Sequence, residues 1–246
     1  MISINDLTVG YGEAIVLENI NLNFTKGKTY GIIGPNGSGK STLLKAINDE
    51  LRLMKGSISI DGKNKNLYPP LEYAKKLSYM RQSPLTKFPF KVEEIVSMGR
   101  YCYHKGKPEK EDLKVIDYYI EINDLKHLRH KTINQLSGGE FQRTIFAKTL
   151  SQESEILLVD EGMSNADLHY KIKFMKHLKS IAKKNKLVLC VLHDIGLARK
   201  YCDHLIILHE KKVFRVGKSQ DVLDEEILKV VFQVDGYFQK DSLIIN

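Results

Sequence analysis

The sequence predicts an α/β fold: a mostly parallel core sheet, a small antiparallel β layer near the N-terminus, and a helical insertion between them in sequence. Three observations carry this. Continuous apolar runs at residues 30–33, 156–159, 187–192 and 205–208 read as strands buried on both faces, and helical segments separate the later ones. The early strands alternate instead, as a layer with one covered face does. From Phe90 to about Leu150 strand runs disappear and helical spacing takes over.

In chain order, residues 2–9 carry an imperfect strand pattern (Ile2, Ile4, Leu7, Val9) that ends at Gly10-Tyr11-Gly12. Residues 15–24 hold a second alternation through Leu17, Ile20, Leu22 and Phe24, 30–33 form a short apolar strand, and 40–48 a helix. Residues 56–60 alternate and stop at Asp61-Gly62, a turn dipeptide. Residues 77–80 give another strand. Helical periodicity governs 92–98, 111–122 and 140–150, then about 168–183 and 195–201 between the later strands. The tail holds a helix near 225–232 and a last strand at 242–245.

The 246 residues suit one large domain or a domain with a subdomain, and 42% apolar content is enough for a substantial core. No apolar run approaches the ~18 residues of a membrane span, so none is expected. The opening MISINDLTV lacks a basic-then-apolar leader, so a secretory signal is not expected either. Cys102, Cys190 and Cys202 are an odd number without close spacing, which fits packed thiols in a reducing compartment better than disulfides or zinc. The net charge of +8 is mostly lysine spread along helical segments. No arginine-and-aromatic platform accompanies it, so a solvated surface is expected and no nucleic-acid partner.

Residues 34–42, GPNGSGKST, follow the first apolar strand and open a helix. Gly34, Gly39, Lys40 and Ser41 fit G-x-x-x-x-G-K-[ST]. The glycines let successive backbone N–H groups of Gly34, Asn36, Gly37, Ser38 and Gly39 point into one concavity, with Pro35, which has no N–H, in the same loop. The helix start adds its positive end, to which Thr42 belongs. Lys40 suits the β- and γ-phosphates and Ser41 a Mg²⁺ ion. An ordinary flexible turn would not require Lys-Ser at that spacing.

A second piece is the strand 156–159 ending in Asp160-Glu161. Ligands gather at such C-terminal strand ends in parallel sheets. Asp160 suits the surroundings of Mg²⁺, and Glu161 suits polarising a water for attack on the γ-phosphate. Alone, these would read as solvated acids; beside a phosphate loop they read as catalytic. A third piece is Ser137-Gly138-Gly139-Glu140, a second anion-binding helix start placed just before that strand.

Together these pieces resemble the ATP-binding cassette (ABC) ATPases. Leu136 to Arg143, LSGGEFQR, is similar to that family's signature motif, and the order of landmarks matches across nearly the whole chain. The resemblance implies a P-loop NTPase of the ABC-ATPase type with a RecA-like core. It places Tyr11 as the adenine-stacking aromatic, Gln82 as the Q-loop glutamine that senses nucleotide and metal, Asp167 in the D-loop Ser164-Asn165-Ala166-Asp167, and His193 as the switch histidine on the γ-phosphate. It implies ATP and Mg²⁺, and a head-to-tail homodimer in which each ATP meets one chain's phosphate loop and the other's Ser137 segment. The implied division is a nucleotide-binding core from 1–83 and 151–220, a helical subdomain at about 84–150, and a tail at 221–246. Two departures stand out. Gly162-Met163 replaces the usual Pro-Thr/Leu, loosening a turn that proline would stiffen, and Ala166 stands where Leu is common.

Finer likenesses point to importers of iron–siderophore complexes, haem or cobalamin: Val96 to Tyr101 (VSMGRY), His193 to Ala198 followed by Tyr201-Cys202-Asp203, and Ile227 to Val234. They imply transmembrane permease subunits and an extracytoplasmic substrate-binding protein as partners, with this chain on the cytoplasmic side of the membrane. A zinc or manganese importer ATPase shares almost every residue named. A non-transport cassette, such as an iron–sulfur assembly ATPase, would work with soluble partners. A DNA-repair or condensin-type ATPase would need a long coiled coil before the signature, and no sustained heptads occur there. Translation factors of the family carry two cassettes. Pro84 to Val92 is expected to lie near the permease contact.

Overall fold

The structure, a computed structural model, describes residues 1–81, 88–104, 106–162, 167–239 and 242–245. It starts with a long antiparallel ribbon of β1 (Ile2–Tyr11) and β2 (Ala14–Phe24). The imperfect alternation of the sequence has a cause here. Asp6 and Asn19 take left-handed φ of 46° and 53°, and the register shifts between Ile4 and Leu7. Such bulges add a residue and restore the face, so Ile2, Ile4, Leu7 and Val9 are all buried despite the change of parity.

β3 (Thr29–Ile33) leads into α1 (Lys40–Ile47). β4 (Lys55–Ile60) and the two-residue β5 (Lys63–Asn64) complete a four-stranded antiparallel sheet in the order β2-β1-β4-β5. The short α2 (Pro70–Lys76) was not anticipated from the sequence; it buries no residue, so it carries no apolar stripe to read. β6 (Leu77–Met80) follows directly. The insertion contains α3 (Val92–Ser97), α4 (Tyr101–His104), α5 (Lys110–Ile122) and α6 (Gly138–Ser151). It has its own small core of Val92, Val96, Ile116, Ile120, Leu125 and Ala147 among others. Arg100, 6% exposed, donates to Asp112 of α5 at 2.9 Å and ties this part to the chain before β7 through the Ser151 carbonyl and Glu153.

β7 (Ile156–Asp160), α7 (Leu168–Lys183), β8 (Leu187–Val191), α8 (Ile195–Tyr201), β9 (His204–His209) and β10 (Lys212–Lys218) complete the core, in which six strands run β10-β9-β3-β8-β7-β6. All pairings are parallel except the β10 edge. Alternate residues of each inner strand feed two cores. Ile32, Leu158, Leu189 and Ile206 face α1 and the antiparallel sheet, while Ile33, Val159, Cys190 and Ile207 face α7 and α8. That double burial is why these strands read as continuous apolar runs. β10 escaped the sequence reading because its turn, Glu210-Lys211, has φ of 46° and 66° without the Gly or Asn that marks such turns.

The tail holds α9 (Glu225–Phe232) and a hairpin of β11 (Gly236–Gln239) with β12 (Ser242–Ile245). The cysteines are free and buried, but the fold sets the sulfurs of Cys190 and Cys202 3.9 Å apart, a proximity their spacing does not announce. Among the described residues no helix is long and apolar enough to cross a membrane.

Candidate functional site

The loop between β3 and α1 is built for glycine where it matters. Gly34 has φ 149°, and a Cβ there would stand 2.2 Å from the Leu208 carbonyl oxygen. Gly39, the N-cap of α1, has φ 96° and a Cβ would meet Leu17 at 2.6 Å. No other residue type fits either place without moving backbone or core. The Lys40 ammonium lies across the loop, donating to the Gly34 and Pro35 carbonyls at 2.9 Å each. Burial lowers its pKa, against the pull of Glu161 and Asp160. Ser38 Oγ is buried without a hydrogen-bond partner. An orphaned hydroxyl inside a glycine cradle fits a phosphate oxygen, which would satisfy it.

Asp160 ends β7 and is 3% exposed. Its Oδ1 accepts from Ser41 Oγ at 2.8 Å and its Oδ2 from the Tyr79 hydroxyl at 3.0 Å. Burial pushes the Asp160 carboxyl up, while those two donors pull it down. Burial and the Asp160 charge push the Tyr79 phenol well upward, so it stays a donor. Ser41 and Asp160 supply hard oxygen ligands of the kind Mg²⁺ takes alongside substrate phosphates.

Glu161 follows in a left-handed conformation, φ 53°, which turns its side chain out of the strand's alternation. Its Oε1 is 2.5 Å from His193 Nε2. His193 stands just past β8, and the next residue, Asp194, caps α8 by accepting from the Leu197 amide at 2.8 Å. Parallel pairing of β7 with β8 brings the two strand ends together, with Asp160 opposite Val191.

The sequence-selected residues therefore fall into two groups. The fold gathers Gly34 to Thr42, Asp160, Glu161 and His193 around one strand-end cleft. Tyr11, half exposed, flanks it: Lys45 of α1 donates to its hydroxyl at 3.3 Å. Ser137, Gly138, Gly139 and Glu140 form a separate helix start. Ser137 caps α6, and its amide donates to Glu140 at 2.7 Å; those hydrogen bonds lower the Glu140 pKa. A Cβ on Gly138 or Gly139 would meet nothing within 4 Å. Among the described residues, no hydrogen bond or ion pair joins this helix start to the phosphate loop. Asp167 caps α7 through the Tyr170 amide at 3.0 Å. Gln82, Ser164, Asn165 and Ala166, and the segment from Pro84 to Lys87, lie outside the described residues.

Gly162 departs from the expectation of a loosened turn. It is buried, and a Cβ there would lie 2.9 Å from both Phe174 Cζ and Val159 Cγ1, with Met80 Sδ at 3.1 Å. The glycine makes room for Phe174 under the site. Tyr79 and Asp194 were not singled out from sequence; a tyrosine on a core strand carries no signal until its partner is known.

The strand–glycine loop–helix cradle, with two acids and a histidine at neighbouring strand ends, defines a P-loop nucleoside triphosphatase. The sequence profile of the ABC transporter family matches residues 17–164. The chain is 33% identical to a hemin import ATP-binding protein, HmuV, of Pseudomonas entomophila, over 97% of this chain and 95% of that one. It is 32% identical to an iron(3+)-hydroxamate import ATP-binding protein, FhuC, of Bacillus subtilis, over 98% and 90%. A dimeric ATP-binding cassette bound to ADP and Pi, MJ0796, superposes with a TM-score of 0.79 at 28% identity, over 89% of this chain and 99% of that one. The chain belongs to the ABC transporter family, as one of its ATP-hydrolysing ATPases.

Proposed function

We propose that this chain is the ATPase subunit of an importer for an iron chelate, siderophore-bound or haem, or for cobalamin, acting through separate membrane subunits at the cytoplasmic face. The observation that carries this reading is likeness at 32–33% identity, over nearly the full chain, to ATPases of ferric hydroxamate and hemin import.

In this reading Lys40 and the loop amides hold the β- and γ-phosphates, Tyr11 stacks on adenine, and Ser41 and Asp160 hold Mg²⁺, with Gln82 as a further contact. When bound, Mg²⁺ neutralises charge on the phosphates. Glu161 takes the proton of the attacking water, and His193 orients Glu161 and contacts the γ-phosphate. Phosphoryl transfer needs positioning and charge stabilisation more than covalent help from the protein. The exposed Ser137 helix start is matched to the ATP of a second copy, which gives one chain two anion-binding helix starts and makes the working unit a head-to-tail dimer.

A groove of about 530 Å³ between the core and the helical insertion is the place for a membrane subunit. Tyr73, Phe90, Ile95, Met98 and Ile145 give it apolar walls, and Arg81 and Lys148 give it positive charge. Phe88, 70% exposed, lies beside it with its ring tilted against that of Phe90, centroids 6.0 Å apart. An extracytoplasmic binding protein would deliver the ligand.

The test is reconstitution in vesicles with the permease subunits encoded nearest to it. ATP-dependent uptake of a ferric hydroxamate, haem or cobalamin is expected. Uptake of Zn²⁺ or Mn²⁺ alone would overturn the ligand class. Stable binding only to soluble partners would overturn the importer reading.

A further inference from the structure

The Asp160 carboxylate is held from both sides. Ser41 Oγ donates to Oδ1 at 2.8 Å from the phosphate-loop helix, and the Tyr79 hydroxyl donates to Oδ2 at 3.0 Å from the neighbouring strand β6. At 3% exposure the carboxylate has little water to replace a lost donor. The Tyr79 ring, meanwhile, packs partly against the core that contains α1, and its other side lines the groove beside Glu50 and Arg81, which pair at 3.0 Å. The ring is thus packed against the core on one side and faces the groove on the other, and its hydroxyl donates to Asp160.

A carboxylate rotates easily about its last bond, and a ligating carboxylate works best when its orientation is fixed by an outer hydrogen bond. Ser41 cannot supply that fixity alone, because the same hydroxyl is a metal-side group. We propose that Tyr79 is the positioning residue for Asp160: its hydroxyl sets the carboxylate so that Oδ1 faces Ser41 and the metal ion that accompanies ATP. This rests on the reading of Ser41 and Asp160 as the metal-holding pair. β6 and the groove wall thereby reach the metal site through one side chain.

The experiment uses Glu161→Gln protein, in which turnover does not consume the nucleotide, and follows free Mn²⁺ by its electron paramagnetic resonance signal in the presence of ATP. Tyr79→Phe should weaken Mn²⁺ binding about tenfold, the lower end for removal of an outer-shell partner. Metal-free ATP binding should be unchanged, and in the Glu161 protein the Mg²⁺ needed for half-maximal hydrolysis should rise in parallel. Tyr79→4-aminophenylalanine restores a donor on the same ring and should recover most of the Mn²⁺ affinity. 4-Methylphenylalanine fills the same para position without donating, so a packing role would restore the affinity with it as well; here it should give no recovery, and recovery equal to the amino ring overturns the inference. In an Asp160→Asn background Tyr79→Phe should have no further effect. Unchanged Mn²⁺ affinity in Tyr79→Phe, or no recovery with the amino ring, overturns the inference. If Asp160→Asn itself leaves Mn²⁺ affinity unchanged, it is the assignment of the metal pair that has failed.

Discussion

His193 Nε2 lies 2.5 Å from Glu161 Oε1, joining the ends of β8 and β7 across the cleft above the phosphate loop. Glu161 reaches that partner from a left-handed backbone, φ 53°, a conformation that side chains other than Gly, Asn and Asp seldom take. Local strain held at this position fits an acid aimed at a reacting water rather than one left in solvent.

Glu161→Gln keeps the shape and loses the base. Hydrolysis should fall by roughly two orders of magnitude or more, while ATP binding persists. With ATP and no turnover the variant should elute as a dimer in gel filtration, and adding Ser137→Arg should return it to a monomer. A monomer in both cases would count against the paired arrangement.

Lys40 makes two hydrogen bonds of 2.9 Å to loop carbonyls, so its ammonium is already in place for a phosphate. Lys40→Ala should weaken Mg-ATP binding by about two orders of magnitude, since charge-assisted bonds are among the strongest in a protein. Fluorescent-nucleotide titration measures this, and the melting temperature without nucleotide should barely change.

Gly162 leaves no room for a side chain between Phe174, Val159 and Met80. Gly162→Ala should cost about 1–3 kcal/mol through overpacking, read as roughly 2–4 °C in Tm per kcal/mol for a chain of this size. Phe174→Leu in the same chain should recover part of the loss. No recovery would place the strain elsewhere.

Arg100 and Asp112 are a buried pair at 2.9 Å within the helical insertion, and the same guanidinium reaches the Ser151 carbonyl and Glu153 ahead of β7. Burial pushes the Asp112 carboxyl up, but the Arg100 guanidinium and the Glu109 amide outweigh it and hold the carboxyl below its ordinary value. Its folded pKa is depressed, so its contribution is complete above the unfolded value near ~4 and is lost as pH falls through the folded value. Asp112→Asn should cost about 1.5–3 kcal/mol at pH 7, because it removes one of the two carboxylates on Arg100 while Glu153 remains at 3.0 Å. The gap in denaturant midpoint between wild type and variant should close below about pH 4.

Phe88 is exposed beside the groove, with its ring tilted against that of Phe90. Phe88→Asp should leave the isolated chain folded, with its ATPase rate near wild type, while co-purification with membrane subunits and ligand uptake are lost. A lowered melting temperature would make the residue part of the core. Full uptake would remove it from the docking surface.

The sequence by itself determined the elements that carry strong local signals. The glycine-lysine loop, the acid pair after four apolar residues, and the Ser-Gly-Gly helix start each state their chemistry in a few adjacent residues. The double-sided burial of β3, β7, β8 and β9 shows as unbroken apolar runs for the same reason. What the sequence left open depends on residues far apart in the chain. The bulges at Asp6 and Asn19 bring strand residues of mixed parity to one face, and only the sheet reveals that. Gly162 looked like slack and is a packing requirement, because Phe174 enters from α7 and Met80 from β6. Tyr79 acquires a role only when β6 is laid beside β7, since its partner Asp160 lies 81 residues further on. Short-range chemistry is written locally; orientation of a side chain by a distant donor is a property of packing, and tertiary structure alone decides it.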